Sequence, residues 1–248
     1  MKQNLWALSI ALGLLGTQGA FAQSAGGGLA EMVGAPFSGV RSQQGARNFV
    51  DGNRVDFGRS VKLYRDSQGR TRVEQDADSA IGAADPRARF ARVVINDPVS
   101  GEYIELQPSS KTAFVIKGGA AHASPVPAET PPVFVSFGGR VYGANDPGWS
   151  KAVSLGDKTI NGVRANGTQR QYTIAISVIG NEKPIVLSVE QWYSSELGMI
   201  VMKNARASTG GEFGFQVENI VQGDPDPALF TVPADYKRIE GGRRAAAQ

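Results

Sequence analysis

A succession of short β-type runs, each closed by a turn signal, is the feature that most restricts how this chain of 248 residues can fold. The clearest example is the stretch 184–203. Its first part is rich in β-branched and aromatic residues, residues 194–198 carry turn-forming types, and a second apolar run follows. Gly198 tolerates a positive φ, so the stretch predicts a β-hairpin with Trp192 beside its turn.

Similar runs recur along the chain, and one face is apolar wherever the alternation is clean. Residues 54–64 place Val55, Phe57, Val61 and Leu63 on one parity, and residues 212–221 place Phe213 and Phe215 on one parity. Turn signals return about every 8–12 residues, and no helical period follows residue 22. The pattern predicts a mainly antiparallel β domain of ten or eleven strands. At Asn166-Gly167 it allows either a turn or a bulge within one long strand.

The two ends of the chain differ from this β region. Residues 1–22 have one charge, Lys2, then an apolar run and Ala20-Phe21-Ala22, which is the pattern of a cleavable secretory signal. We therefore expect a periplasmic or secreted protein. Residues 23–36 are predicted to be a flexible lead-in, 37–236 a single β domain with a Pro/Gly-rich loop insertion at 118–148, and 237–248 a disordered tail.

Composition excludes several classes of function. The chain has no cysteine, so disulfides, thiol nucleophiles and thiolate metal sites are excluded. Its 26 Lys and Arg against 23 Asp and Glu are too balanced for a nucleic-acid-binding protein. After the signal, no apolar run approaches the roughly 20 residues that a membrane-spanning helix needs, so we expect no membrane span in the mature chain.

Motifs for catalysis, cofactors and metals are also missing. His122 is the only histidine, and it lies in the Pro/Gly-rich loop, where a catalytic base cannot be held in place. No G-x-S-x-G, phosphate-binding loop or dinucleotide fingerprint is present. We predict no catalytic residue, no metal and no cofactor. Glu190 and Glu196, near Trp192, leave open a carboxylate pair for glycoside hydrolysis or, more simply, two solvated side chains.

Several turn-and-strand motifs resemble a known superfamily. The early ones are Asp51-Gly52-Asn53-Arg54, Tyr64-Arg65-Asp66-x-x-Gly69-Arg70 and Asp97-Pro98-x-x-Gly101-x-Tyr103; the later ones are Glu190-x-Trp192-Tyr193-Ser194-x-Glu196-Leu197 and Asp226-Pro227-x-Leu229-Phe230. They resemble periplasmic lipoprotein-carrier (LolA-like) and RseB-like domains, and a group of uncharacterised exported bacterial proteins of that type. The resemblance implies a single curved antiparallel sheet, an open half-barrel with few short helices, whose hollow takes acyl chains in the carriers.

If the sheet is an open half-barrel, aromatic residues on its strands are the candidates for binding an apolar ligand. They are Tyr103, Phe114, Tyr172, Trp192 and Phe215. Core packing is the simpler explanation of each of them, and the pattern does not separate a core for a lid from a wall for a ligand. Parity places Trp192 with Glu190 on one face of its strand, opposite the more apolar set Ile185, Leu187, Val189 and Tyr193.

Three functions are consistent with these observations. The first is an exported binding or carrier module, not an enzyme, for a lipid or other apolar ligand. The second is a cell-envelope module that binds another protein and no small molecule. The third is a hydrolase that uses carboxylates.

Overall fold

A computed structural model describes residues 32–48, 51–76, 80–81, 91–118, 135–137, 140–142 and 147–241. The predicted signal at 1–22, His122 and most of the loop at 118–148 lie outside the described residues.

The described residues form fifteen strands and two short 3-10 helices. The strands are β1 Phe37–Asn48, β2 Arg54–Arg65, β3 Thr71–Gln75, β4 Ala80–Ile81, β5 Arg92–Asp97, β6 Glu102–Gln107, β7 Thr112–Lys117, β8 Val135–Phe137, β9 Arg140–Tyr142, β10 Val153–Ile160, β11 Val163–Ile174, β12 Ile185–Ser194, β13 Met199–Ala207, β14 Gly211–Gln222 and β15 Lys237–Glu240. The 3-10 helices are Pro108–Ser110 and Pro227–Phe230. The count exceeds the predicted ten or eleven because two- to four-residue strands such as β4 and β15 are too short to show alternation.

One sheet contains thirteen of these strands. Its path runs β10-β11-β12-β13-β14-β1-β2-β3-β5-β6-β7-β15, with β4 paired to β2, while β8 and β9 form a separate hairpin. Every pairing is antiparallel except that of β15 with β7. The two ends of the path, β10 and β15, do not pair with each other, so the sheet is not closed into a barrel. The predicted fold class is confirmed.

The sheet is strongly curved, and one hydrogen bond shows it. Asn161, in the turn between β10 and β11, donates from Nδ2 to the carbonyl oxygen of Val217 on β14 at 2.7 Å. In a flat sheet β11 and β14 would be roughly 14 Å apart, since β12 and β13 lie between them. The β10–β11 hairpin therefore curls back onto β14, beyond Met202, where the pairing of β13 with β14 ends.

The hairpin predicted at 184–203 is present as β12 and β13, and Gly198 in its turn has φ of 61°. Its turn anchors residues 32–36. The backbone N–H groups of Gly34 and Ala35 donate to the carbonyl oxygens of Leu197 and Glu196 at 3.1 and 2.8 Å. Met32 is fully buried. The prediction of a flexible lead-in is therefore wrong for residues 32–36.

One further prediction is corrected at the level of elements, and one open alternative is decided. Lys237–Glu240, assigned from the sequence to a disordered tail, forms β15 along the edge of β7. Asn166-Gly167 makes no turn, because residues 163–174 form one strand and the turn lies at Asn161-Gly162, where both residues have positive φ.

The core lies on both faces of the sheet. The largest cluster joins Phe37 and Leu63, from the strands near β1, to Trp192 and Val201, from the β12–β13 hairpin. A second cluster lies on β5, β6 and β7 beneath Phe230 of the second 3-10 helix. A third lies at the other end of β11 and β12. The first cluster connects the two halves of the chain.

Candidate functional site

A cavity of about 530 Å³ lies where β13, β14, β1 and β2 run side by side. Consecutive residues of β2 and of β14 line it, so its lining mixes residues from both parities. The apolar members are Phe57, Phe213, Phe215, Met202 and Ala205, and the charged members are Arg54, Asp56, Arg59, Arg206 and Glu212; the remaining members are Ser, Gln, Asn and Gly residues. The combination of apolar and cationic side chains is what distinguishes this cavity chemically.

Strand register arranges part of this lining in rows on one face of the sheet. Phe213, Gly45 and Phe57 are neighbours across β14, β1 and β2, and Phe215, Gln43 and Arg59 form the next row. We call this side the aromatic face. The ring of Phe57 lies over Gly45, where a Cβ atom would come within 2.4 Å of it. Phe57, Phe213 and Phe215 are each half-buried, which leaves part of every ring accessible.

Arginines lie on the aromatic face beside these rings. Arg41, which is 5% exposed, has its guanidinium carbon 5.5 Å from the centre of the Phe215 ring. Arg59 donates to the side-chain carbonyl oxygens of two glutamines, from Nε to Gln43 at 3.1 Å and from Nη1 to Gln75 at 3.4 Å. Arg92, which pairs with Gln75 across β3 and β5, binds Glu105 at 3.0 Å.

The electrostatics of Arg59 follow from this arrangement. Burial is the first cause that lowers the pKa of its guanidinium, and the positive charge of Arg92 is the second. The carboxylate of Glu105, on the same face, is paired with Arg92. Among the described residues, the three arginines Arg41, Arg59 and Arg92 and the carboxylate of Glu105 therefore lie in surroundings where water screens charges poorly.

Four of the five predicted ligand residues lie on the aromatic face. Cross-strand neighbours on one face link Tyr172 to Leu187, Ala207 and Gly211, and Gly211 shares that face with Phe213. On the other side of β1, they link Phe114 to Glu105, Val94, Val73 and Leu63, and Leu63 shares that face with Phe57. Tyr103 is two residues from Glu105 on β6 and therefore lies on the same face. Phe215 lines the cavity itself.

The four are not brought into one pocket. Tyr172 packs edge-on against Trp149 at 5.2 Å, at the β11 end of the sheet. Tyr103 is half-buried against the largest cluster, and burial is the main cause that raises the pKa of its hydroxyl. Phe114 is 8% exposed on β7. Of the five, Phe215 is the residue that lines the cavity, so we take it as the centre of the candidate site.

Trp192 is on the opposite face, with Glu190, as parity predicts. Its Nε1 donates to Glu190 Oε1 at 2.7 Å. The indole is only 6% exposed, because Gly167 lies against one part of the ring and the Lys158 ammonium stands 4.1 Å from its centre. Glu190 thus orients the indole, and Trp192 belongs to the largest core cluster.

The acidic residues of the described part of the chain are dispersed or paired. No set of three or more His, Cys, Asp or Glu residues that could hold a metal occurs among residues with described placement. Glu196 is exposed in the β12–β13 turn, while Glu190 is engaged with Trp192. Of the helices described, none is long and apolar enough to cross a membrane.

The sequence pattern did not point to Phe57 and Arg59 as site residues. The alternation of β2 and β14 was visible, but which strands become neighbours was not. Pairing of β1 with both β2 and β14 brings Phe57 and Phe213 to either side of Gly45.

Comparison with known proteins gives structural matches. No family model matches the chain, and no curated protein does. A chain of the Pseudomonas aeruginosa MucA/MucB complex is 13% identical, with a TM-score of 0.37, over 85% of this chain and 59% of that one. A LolA superfamily protein from Nitrosomonas europaea is 11% identical, with a TM-score of 0.30, over 85% of this chain and 97% of that one. LprF from Mycobacterium bovis is 13% identical, with a TM-score of 0.32, over 87% and 95%.

The matched structures include a protein of the LolA superfamily, which the sequence motifs also resemble. The chain spans about three-fifths of the matched chains in the MucB structures, 59%, 61% and 55% in three cases. What the site binds has to follow from its own residues.

Proposed function

We propose that the protein is an exported binding or carrier module for an apolar ligand such as a lipid or an acyl chain. The observation that supports this function is the half-buried set Phe57, Phe213 and Phe215, which lines a cavity of about 530 Å³ on an open sheet. A cavity of this size is within the range of small-ligand sites. Aromatic rings that remain partly accessible can bury further apolar area when a chain binds against them.

Carriage requires an entrance, and the open sheet is compatible with one. The path of strands has free ends at β10 and β15, so the cavity is not enclosed by a closed barrel. A ligand can then enter from the side of the sheet without disrupting ladder hydrogen bonds. Export, which residues 1–22 predict, would place the protein in the periplasm or outside the cell.

A neutral fluorescent probe tests this function directly. N-phenyl-1-naphthylamine should gain fluorescence on binding the protein and should be displaced by monoacylglycerols in order of increasing chain length. Phe215→Ala should weaken probe binding about tenfold or more, since a buried Phe side chain contributes about 1.5–3 kcal/mol. Val221→Ala is the matched control, because Val221 is 64% exposed on the same strand and lies outside the cavity.

Two results would contradict the proposal. The first is a purified protein that binds neither probe nor any acyl chain and releases no lipid in native mass spectrometry. The second is unchanged binding by a folded Phe215→Ala variant, which would show that the ligand does not bind in this cavity.

A second candidate, a module that binds an envelope protein, is favoured by the β10 edge. Among the described strands, β10 pairs with β11 alone, and its Val153 and Leu155 are 58% and 38% exposed. An exposed strand edge can accept an added strand from a partner. The test is a pull-down from envelope extracts with wild type and with Leu155→Lys protein. If both retain the same proteins, the result would argue against binding at this edge.

A further inference from the structure

Among the described residues of the aromatic face, Arg41, Arg59 and Arg92 lie near one carboxylate, that of Glu105. Arg59 and Arg92 both approach Gln75, the first by a hydrogen bond and the second as its neighbour across β3 and β5. Glu105 binds Arg92. Within the described ranges, the recorded hydrogen bonds of Arg59 go to amide oxygens and none goes to a carboxylate.

This arrangement is costly for a protein that binds nothing there. A half-buried guanidinium loses hydration, and a second guanidinium nearby repels it. Amide oxygens replace some of the hydrogen bonds that water would make, but they carry no negative charge to balance that of the guanidinium. The burial of Arg59 and its closeness to Arg92 together lower the pKa of its guanidinium, as the geometry requires. An anion bound between these two arginines would compensate for both effects.

Arg59 shares a row with Gln43 and Phe215, and this row is next to that of Phe213, Gly45 and Phe57. Arg59 is two residues from Phe57 along β2, a separation of roughly 7 Å, and the two side chains share a face. Gln43, which binds Arg59, is the neighbour of Phe215 across β1 and β14. Both Arg59 and Phe215 line the cavity. One ligand can therefore contact the rings with an apolar part and Arg59 with a charged end.

We propose that the ligand of this site is an anionic amphiphile, whose carboxylate or phosphate head binds Arg59 with the support of Arg92 and whose chain lies on Phe57 and Phe215. This inference rests on the proposed function and names the ligand class of the same cavity. Gln43 and Gln75 act as positioning residues, because they hold the guanidinium of Arg59 in place.

Displacement of N-phenyl-1-naphthylamine by three ligands with the same acyl chain tests the inference. They are a monoacylglycerol, the corresponding fatty acid and the corresponding lysophosphatidic acid. We expect the anionic ligands to bind the full protein about tenfold or more tighter than the neutral one, as a charge-assisted hydrogen bond permits. The fatty acid and the lysophosphatidic acid separate a carboxylate from a phosphate as the preferred head.

Arg59→Gln should abolish this preference, because it weakens binding of the two anionic ligands about tenfold or more relative to binding of the monoacylglycerol. The control is Lys62→Gln, which removes an exposed cation of the same strand on the opposite face, outside the cavity. It should keep the preference. Because Gln retains hydrogen-bonding capacity and removes a poorly hydrated charge, Arg59→Gln should unfold at a temperature no lower than wild type.

The outcomes separate the two proposals. Equal affinity for neutral and anionic ligands, or a preference that survives Arg59→Gln, would overturn the anionic ligand and leave an apolar-ligand module standing. Failure of all three ligands to displace the probe, or failure of the probe to bind, would overturn both. A loss of preference in Lys62→Gln equal to that in Arg59→Gln would show a general charge effect and would also overturn the inference.

Discussion

At the scale of single residues, Gly167 shows how one position can fix the place of a large side chain. A Cβ atom at this position would lie 2.6 Å from the ring of Trp192, its neighbour across β11 and β12. The glycine is required by contact and not by backbone conformation. The indole can therefore lie flat against β11 and reach the carboxylate of Glu190.

Gly167→Ala should destabilise the protein by about 1–3 kcal/mol, because the added methyl group displaces the indole or the strand. Denaturant unfolding would measure the change. Gly211→Ala is the matched control. Gly211 is also in a strand, and a Cβ atom there would meet nothing closer than 3.9 Å. Equal stability of the two variants would show that the ring of Trp192 is free to move.

Arg59 shows the opposite case, a residue whose chemistry comes entirely from its neighbours. In the sequence it is one polar position in an alternating strand. Gln43 arrives from β1 and Gln75 from β3, and neither pairing can be read from residues 54–64. Its proposed role in binding an anion depends on those two partners and on Arg92.

At the scale of elements, β15 is held by few and exposed interactions. The N–H of Lys237 donates to the carbonyl oxygen of Lys111, and that of Gly241 to the carbonyl oxygen of Val115, at 2.8 and 2.9 Å. Asp235 accepts from the ammonium of Lys111 at 2.8 Å, which lowers the pKa of its carboxyl. The hydrogen bond from Arg238 is the main cause that lowers the pKa of Glu240.

We expect β15 to loosen first at acid pH. Both carboxyl groups have a lower pKa in the folded chain than in the unfolded chain, where the values are about 3.9 for Asp and 4.3 for Glu. Their contribution is complete above those unfolded values and is lost as the pH falls through the folded ones. Hydrogen exchange, corrected for intrinsic rates, should show selective loss of protection at Ile239 and Gly241 between pH 6 and pH 3.

The control for this prediction is Asp235→Asn, which should reduce protection of β15 already at pH 6 and weaken its dependence on pH. Amides in the centre of the β1–β14 pairing should keep their protection over the same range. Protection of β15 that is the same at both pH values would contradict the prediction.

At the scale of the whole molecule, one cluster joins strands that are distant in the sequence. Phe37, fully buried, belongs to the same cluster as Trp192, and β1 pairs with β14 over ten residue pairs. The curled β10–β11 hairpin adds the contact of Asn161 with Val217. The two halves therefore share a core and should unfold together.

Phe37→Ala should lower the free energy of unfolding by about 3–5 kcal/mol, as expected for a large core residue. Tryptophan fluorescence of the chain without residues 1–22 reports on Trp149 and Trp192, both outside the strands that neighbour Phe37. Far-UV circular dichroism reports on the whole sheet. The two midpoints should shift equally. A fluorescence midpoint that stays at its wild-type value would show that the halves unfold independently.

The sequence alone determined the β class, the β12–β13 hairpin and the common face of Trp192 and Glu190, because alternation and turn chemistry act between residues close in the chain. Tertiary structure decided the rest. Docking of residues 32–36 on the β12–β13 turn, pairing of β15 with β7 and the meeting of Phe57, Phe215 and Arg59 all depend on contacts between distant segments. Period two gives the face of a strand, but it carries no information about which strand will lie beside it.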